Sequence, residues 1–327
     1  MPESTAVARD WDTYWRGSAD GTAFGSDGVD HPLVRQFWVD SLSTLRGDGR
    51  KLRLLDVASG SGAVVDVSQS VFGEDGIAVS CLDTSEWAIK ALLEQFPSAD
   101  GRVGDARELP FPDGSFDIVT SQFGIEYAGL DAVDEMARVV APDGVLVLLM
   151  HLNGGMIDRE CAGNVDAISD LQSLGFIPAA TRIFTEGRKC IQGETDGSRR
   201  DYDAAVQDMM PIFRQFGDLL KKHGEEAAGG TLSMLHRETD RIYSRIMHHD
   251  LDEVLQWLQR MGEELVSYKG RMQSMCDAAN EAPAFEALSK RLGETGFSVT
   301  KSGPLRDDSN QQDVAWQLVA KRAAHGS

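Results

Sequence analysis

The run Leu52-Arg53-Leu54-Leu55-Asp56-Val57 passes without a break into Ala58-Ser59-Gly60-Ser61-Gly62-Ala63, and a second apolar run, Ile77 to Leu82, ends at Asp83. A short apolar run closed by glycines reads as a buried strand of a parallel sheet turning sharply into a helix, here from Val64. Without a Cβ, the glycines let a ligand lie against the backbone, and the helix start behind them offers free N–H groups and a positive dipole end. Taken alone, the glycines are equally well a tight strand-to-helix turn. A carboxylate at the end of the second strand, roughly twenty residues on, is where both hydroxyls of a ribose are accepted, so the pair predicts a nucleoside-bearing ligand. The dinucleotide fingerprint wants a third glycine, and Val65 stands in that place, which disfavours a nicotinamide dinucleotide.

The rest of the chain is organised around that unit. Phe116 to Thr120 and Val145 to Met150 are further apolar runs, and Glu86 to Phe96 and Leu130 to Val140 have helical spacing. Ala141-Pro142-Asp143-Gly144 is expected to end a helix and turn into the next strand, with the glycine accommodating a positive φ. From about residue 157 to 280 the sequence becomes charged and amphipathic, the pattern of a helical insertion. Within it Val254, Leu258, Met261, Leu265, Tyr268, Met272 and Met275 form a heptad seam, predicting one helix from Leu251 to Asp277 of about 40 Å. Tyr202, Val206, Met209, Phe213, Phe216 and Leu220 repeat the spacing, with Pro211 expected to kink that helix or begin a new one. The seams are expected to pack within the insertion, with a second subunit as the alternative. Ala284 to Leu292 reads as a helix, and Gly296 to Thr300 and Val314 to Ala320 as strands. The connection Ser302 to Asp313 leaves no room for a crossover helix, so this closing pair is expected to be antiparallel.

Composition narrows the ligand. With 52 acidic against 32 basic side chains the formal charge is -20, and no local basic patch relieves it. Nucleic acid and anionic membrane surfaces are therefore disfavoured as partners. The start of the chain carries acids and no apolar segment, and no run is long enough to span a bilayer, so no signal peptide, no membrane association and a cytoplasmic location are expected. The four cysteines, Cys81, Cys161, Cys190 and Cys276, are widely spaced without a CxxC pair and read as reduced thiols. His248-His249-Asp250 with Asp252 is a poor metal site, because adjacent histidines on a helix point about 100° apart, so no metal is expected.

Leu54-Leu55-Asp56-Val57-Ala58-Ser59-Gly60-Ser61-Gly62 resembles the first motif of class I S-adenosylmethionine-dependent methyltransferases, departing from it at Ala58, where glycine is commonest. Gly104-Asp105-Ala106, Leu109-Pro110-Phe111-Pro112-Asp113-Gly114-Ser115-Phe116-Asp117, Ser121-Gln122-Phe123-Gly124 and Asp134 to Gly144 are similar to further family stretches in order and spacing, the second of them to the quinone-biosynthesis type. The resemblance covers residues 52–151 and the closing strand pair. It implies a Rossmann-like, doubly wound α/β sheet of seven strands with an antiparallel end, plus the helical insertion. Residues 1–50 are then an N-terminal helical cap, 51–151 and 284–323 the cofactor-binding core, and 152–283 an insertion acting as lid or dimer arm.

The resemblance further implies S-adenosyl-L-methionine as cofactor, held by Asp56, Ala58, Gly60, Gly62, Asp83, Thr84, Asp105, Ala106, Gln122 and Tyr14. Asp83 is expected on the ribose hydroxyls, Asp105 on the adenine amino group, and the Ala58–Gly62 loop under the methionine part. Amino-methylating DNA enzymes carry Asn/Asp-Pro-Pro-aromatic where this chain has Ser121-Gln122-Phe123-Gly124, which leaves a small-molecule acceptor methylated on oxygen or nitrogen as the expectation. Phe123, Tyr127 and Trp15 are candidate acceptor contacts, with Tyr14 or Trp15 shielding the sulfonium. His151 follows the fifth strand run and is expected at the ligand-facing edge, where an imidazole can take a proton at neutral pH. Glu126 and Tyr127 are rival polar groups on that rim. A catalytically silent cofactor-binding or interaction protein is the alternative, since a fold alone does not prove chemistry.

Overall fold

The computed structural model describes Trp11, Tyr14, Trp15 and residues 32–45, 49–193 and 196–323, so most of the expected 1–50 cap lies outside the described residues. In chain order the first elements are α1 (Pro32–Ser43), β1 (Leu52–Val57), α2 (Ala63–Phe72), β2 (Ile77–Asp83), α3 (Glu86–Gln95), β3 (Asp100–Val103) and β4 (Phe116–Gln122). They are followed by α4 (Ile125–Ala128), α5 (Ala132–Val139), β5 (Val140–His151), α6 (Met156–Leu174), α7 (Phe176–Gln192), α8 (Asp196–His223) and α9 (Thr231–Ser244). The last are α10 (Leu251–Ala278), α11 (Ala282–Glu294), β6 (Phe297–Asp307) and β7 (Gln312–Arg322).

The seven strands form one sheet in the order β3-β2-β1-β4-β5-β7-β6. β1 pairs parallel with β2 and β4, and β4 parallel with β5. β7 runs antiparallel to both β5 and β6. This is the doubly wound sheet with an antiparallel end that the sequence predicts. The strand order reverses between β1 and β4, and in open α/β sheets the crevice at the carboxyl ends of such strands is where ligands bind. β1, β4 and β5 are nearly continuous apolar runs because helices cover both of their faces: Leu54, Leu55, Val57, Val119 and Leu146 to Met150 are fully buried. Val133 and Met136 of α5 and Phe285 and Leu288 of α11 belong to that core, and Phe285 stacks on Trp316 at 4.5 Å between ring centroids. α3 begins where Ser85 Oγ accepts the Ala88 N–H at 3.3 Å, a side-chain cap.

Three local expectations change. β3 was not visible in the sequence: Asp100-Gly101-Arg102-Val103 is a polar, largely exposed edge strand with no apolar run to announce it. The predicted turn at Ala141 to Gly144 is instead the bulged start of β5, opposite a register shift between Phe116 and Ile118. Asp143, not Gly144, takes the positive φ of 61°, while Gly144 is needed for space, since a Cβ there would lie 2.8 Å from the Ala141 carbonyl oxygen. β6 runs to Asp307, past Pro304, so only residues 308–311 connect the closing strands; proline is tolerated because β6 is the sheet edge.

The described residues divide into two compact units, one within 1–160 and 274–327, the other within 161–273. The second is helical. Its seam is buried as the spacing predicts, from Val254 through Leu258, Met261, Leu265 and Tyr268 to Met272. α10 is a single helix of 28 residues. Within the unit Asn164 Nδ2 donates to the Tyr268 hydroxyl at 3.4 Å and Gly262 faces Ile177, so the partners of α10 are helices of the same chain and the seam is not left open for a second copy. α8 continues through Pro211 as one helix rather than restarting there, and its buried face is Ala205, Met209, Phe216 and Leu219. No helix among the described residues is long and apolar enough to cross a membrane.

Candidate active site

The site grows from two turns at the switch point. After β1, Ala58 takes φ 55°, Gly60 51° and Gly62 95°, and Gly62 caps α2 in the left-handed conformation. Asp83, at the end of β2, holds this loop: its Oδ2 accepts the Gly60 N–H and its Oδ1 the Ser85 N–H, both at 2.9 Å. The indole of Trp15 lies on the open face of Gly60, where a Cβ would meet its ring at 2.8 Å. Trp15, expected near the acceptor, is therefore on the glycine loop, while Tyr14 packs on the rings of Trp11 and Trp15. Ser61, Gly62, Trp38 and Gln122 line a cleft beside the loop.

Asp56 is fully enclosed under the loop. Its Oδ1 accepts the Thr120 hydroxyl at 2.7 Å, and its Oδ2 has no hydrogen-bond partner. Burial, opposed by the Thr120 hydrogen bond and aided by the nearby Asp83 charge, pushes its carboxyl up to about 7. The same surroundings push the buried Cys81 thiol up, which makes it unreactive. Gln122, a candidate cofactor contact, accepts the Trp38 indole N–H and so anchors α1. Asp105 is half-exposed and paired with Arg107 at 2.6 Å; the Arg107 hydrogen bonds hold its carboxyl below the usual range. Thr84 is exposed and Ala106 buried.

After β4, Phe123 takes φ 51° and donates its N–H to the Leu149 carbonyl at 2.8 Å. The one-turn helix α4 then carries Glu126 beneath the end of β5. Glu126 and Tyr127 are not rivals of His151, as the sequence suggests, but its surroundings. Glu126 Oε1 lies 2.7 Å from His151 Nδ1 and accepts the His151 backbone N–H at 2.8 Å. Their side chains are 1% and 2% exposed. The His151 carbonyl accepts the Asn280 N–H at 2.9 Å, so the main chain is fixed on both sides. Because Glu126 Oε1 already acts as acceptor to the backbone, it is placed to accept from Nδ1 as well, so a neutral imidazole here holds its proton on Nδ1. Nε2 and Glu126 Oε2 are buried without partners. The imidazole sits between the rings of Phe123, at 4.8 Å, and Tyr127, at 6.0 Å, and Tyr127 touches Trp11 at 5.9 Å.

The signal that was available for the pair is topological: β4 and β5 are neighbours, so residues shortly after β4 meet the end of β5. What sequence spacing does not reveal is that the Glu126 carboxylate, rather than the Tyr127 hydroxyl, turns towards the imidazole.

A nucleoside sulfonium fits these residues. Gly60 leaves its backbone bare of a Cβ under the Trp15 indole, a ring that a nucleoside would displace or stack against, the Asp83 carboxylate is oriented by two backbone donors, and the buried Oδ2 of Asp56 has no hydrogen-bond partner. A methyltransferase-domain family profile matches residues 55–148. A demethylmenaquinone methyltransferase of Renibacterium salmoninarum is 37% identical over 116 residues, 35% of this chain and 46% of that protein. A ubiquinone/menaquinone biosynthesis C-methyltransferase of Azotobacter vinelandii is 29% identical over 163 residues, 47% of this chain and 60% of that one. The chain thus spans about half the length of the curated relatives it matches. Among solved structures, a carbon methyltransferase named CurJ aligns over 90% of this chain and 56% of its own, at 11% identity and a TM-score of 0.44. The profile match over β1 to β5 and the relatives that share it coincide with the strand order and glycine loop described above, and residues 55–148 are a methyltransferase domain of the S-adenosylmethionine-dependent kind.

Proposed function

We propose that this protein transfers a methyl group from S-adenosylmethionine to a small-molecule acceptor whose nucleophile must lose a proton, with His151 as the general base. The observation that carries the reading is the buried Glu126–His151 pair at the carboxyl edge of β5, with Nε2 unpartnered. A scaffold without chemistry has no need of such a pair, because a buried, half-satisfied polar network costs stability. When bound, the cofactor supplies a methyl group on a good leaving group. Asp83, the Ala58–Gly62 loop and Asp56 would hold it, and Asp105 would accept from the adenine amino group once released from Arg107.

Glu126 keeps the proton on Nδ1 and stabilises the imidazolium formed when Nε2 takes the acceptor's proton. The aromatic rings of Phe123, Tyr127, Trp11 and Trp15 exclude water from this edge. Most of the acceleration then comes from alignment, which is worth on the order of 7 kcal/mol or more in favourable cases. A hydroxyl or ammonium acceptor satisfies this chemistry, and so does an acidified carbon, in keeping with the C-methyltransferase name of the Azotobacter relative.

Calorimetry with S-adenosylhomocysteine tests the cofactor half. Wild type is expected to bind, and Asp83→Ala to bind roughly ten- to a hundredfold more weakly, since a carboxylate that hydrogen-bonds the ligand contributes about 1–3 kcal/mol. Unchanged affinity refutes the assignment. Turnover of the methyl donor in fractionated metabolite extracts then identifies the acceptor.

A further inference from the structure

The two turns of the site are built against each other, and the contact runs through one residue pair. Gly124 follows Phe123 directly. A Cβ placed on it would lie 2.4 Å from the Cβ of Ala58, 3.2 Å from the Ala58 carbonyl oxygen and 3.6 Å from its Cα. Ala58, the one departure from the family's glycine pattern, thus points its methyl at the one residue of the facing turn that has no side chain. On the other side of the same turn, Phe123 holds a left-handed φ of 51° and lays its ring 4.8 Å from the His151 imidazole. A bulky residue at positive φ is rare, and such an outlier survives only where its surroundings over-determine it. Here they do: its N–H is bound to the Leu149 carbonyl, and Ile125 donates its N–H to the Ser121 hydroxyl across the turn.

We infer that the Phe123–Gly124 turn is the positioning element that sets the His151 imidazole in register with the cofactor loop: Gly124 seats the turn on Ala58, and Phe123 fixes the tilt of the imidazole that Glu126 has already fixed in tautomer. The inference rests on the proposed role of His151 for its consequence in catalysis, but not for its geometry. In-line transfer tolerates little error, since a displacement of about 1 Å costs on the order of a hundredfold in rate. The seat is read as one methyl shared between two positions, so that exchanging the pair, Ala58→Gly together with Gly124→Ala, is admissible, whereas alanine at both positions is not. The swap also removes a strained residue, because position 58 at φ 55° favours glycine, while Gly124 at φ −142°, ψ −40° has no positive φ to forbid alanine.

The experiment uses the full chain and two readouts that need no acceptor: calorimetry with S-adenosylhomocysteine, and the 15N–1H long-range NMR signals of the His151 imidazole, which report its tautomer. Gly124→Ala is expected to weaken binding at least tenfold and to replace the Nδ1–H pattern with a tautomer mixture. Ala58→Gly combined with Gly124→Ala is expected to bring both back to within threefold of wild type. Phe123→Ala is expected to keep the Nδ1–H pattern but to shift and broaden the imidazole signals as the ring loses its fixed tilt, while changing affinity less than threefold. If Gly124→Ala does not fold, the folded double variant and Phe123→Ala carry the test.

Native imidazole signals in Phe123→Ala, or a double variant as impaired as Gly124→Ala, overturn the inference. Failure of the function reading looks different: wild type ignores S-adenosylhomocysteine, or His151→Ala turns over normally, while the imidazole signals still follow the turn.

Discussion

At the ends of β1 and β4, Ala58 and Phe123 carry side chains at φ 55° and 51°, and Asp56, Glu126 and His151 are buried with oxygen or nitrogen atoms left unpaired. In the unit within 161–273 the long helix α10 buries valine, leucine and methionine at heptad spacing, most of the unit's ion pairs are exposed, such as Arg182–Asp208 and Lys222–Asp170, and the buried Arg271 lies over the Tyr268 ring. The first region stores strain and unsatisfied polarity at the edge where the proposed function puts the ligand. The second follows the heptad pattern of a helical bundle, and its buried unpartnered atoms, Thr231 Oγ1, His236 Nε2 and Thr239 Oγ1, are neutral hydroxyl and imidazole groups rather than carboxylates. The difference teaches where to look for chemistry: not in the largest or most regular element, but where the local rules are broken around the strand ends.

The sharpest way to break this comparison is to remove the base. His151→Ala is expected to lower turnover by about 10²–10⁴-fold, with affinity for S-adenosylhomocysteine within threefold of wild type, as measured by steady-state kinetics and calorimetry once the acceptor is known. A loss under threefold would return His151 to a structural role and leave the strained edge without a function. Glu126→Gln keeps the shape of the pair but not its charge. It is expected to cost less than removal of the imidazole, and to act on kcat rather than on cofactor binding.

In the helical unit the expected effect is comparable in energy but different in kind. Leu258 is completely buried in the α10 seam, so Leu258→Ala removes buried surface and leaves a cavity, costing about 2–5 kcal/mol. Denaturant unfolding followed by fluorescence checks the loss, and cofactor affinity at low denaturant is expected to stay unchanged. A parallel drop in affinity would mean that the two regions are not energetically separate.

The same contrast explains what the sequence disclosed. The sheet and the seam were legible because hydrophobic periodicity reports packing, which is what both mostly consist of. Asp83 and the glycines were legible because backbone conformation and ligand access demand those residue types. The Glu126–His151 pair was half-legible: strand adjacency brings the two together, but only the rotation of α4 selects the glutamate over Tyr127. The role of Ala58 was not legible at all. It showed only as a departure from the family's glycine, whereas its methyl faces Gly124, a contact made across 66 positions of sequence between two turns. β3 escaped because an exposed polar edge strand has no period to read, and the length of β6 because Gly303 and Pro304 mimic a loop.

Asp56 gives a pH test of the unsatisfied edge. Its carboxyl, raised to about 7 in the folded chain, titrates near 3.8 when unfolded. Between those values the folded state holds a proton that the unfolded state has released, so the contribution of this group to stability falls as pH rises from about 4 to about 7 and is level above that. Asp56→Asn keeps an acceptor for the Thr120 hydroxyl and removes the titration. Without cofactor, the variant is expected to gain on wild type by about 2–3 kcal/mol between pH 5 and pH 8, by urea unfolding at both values. An equal difference at the two pH values would show that Asp56 is not held neutral by burial.

The smallest expected effect compares the same strain in the two regions. Ala228, in the connection between α8 and α9, sits at φ 52°, nearly the value of Ala58, with its N–H donated to Asn164 Oδ1 at 2.8 Å. A left-handed conformation costs an alanine roughly 1–2 kcal/mol relative to glycine, offset in part by the greater entropy of glycine in the unfolded chain. Both Ala58→Gly and Ala228→Gly are therefore expected to stabilise by about 0.5–1 kcal/mol, read as a rise in Tm. They part in their effect on the site. Ala228 also loses a buried methyl, which trims its gain, but that methyl lies within the helical unit, so its variant is expected to bind S-adenosylhomocysteine as wild type does. Ala58→Gly also empties the methyl seat against Gly124, so its gain in stability is expected to come with a two- to fivefold loss of affinity. If both variants bind alike, the positive φ at Ala58 is a local turn like that at Ala228, and the contrast between a strained site and a relaxed bundle loses its main backbone support.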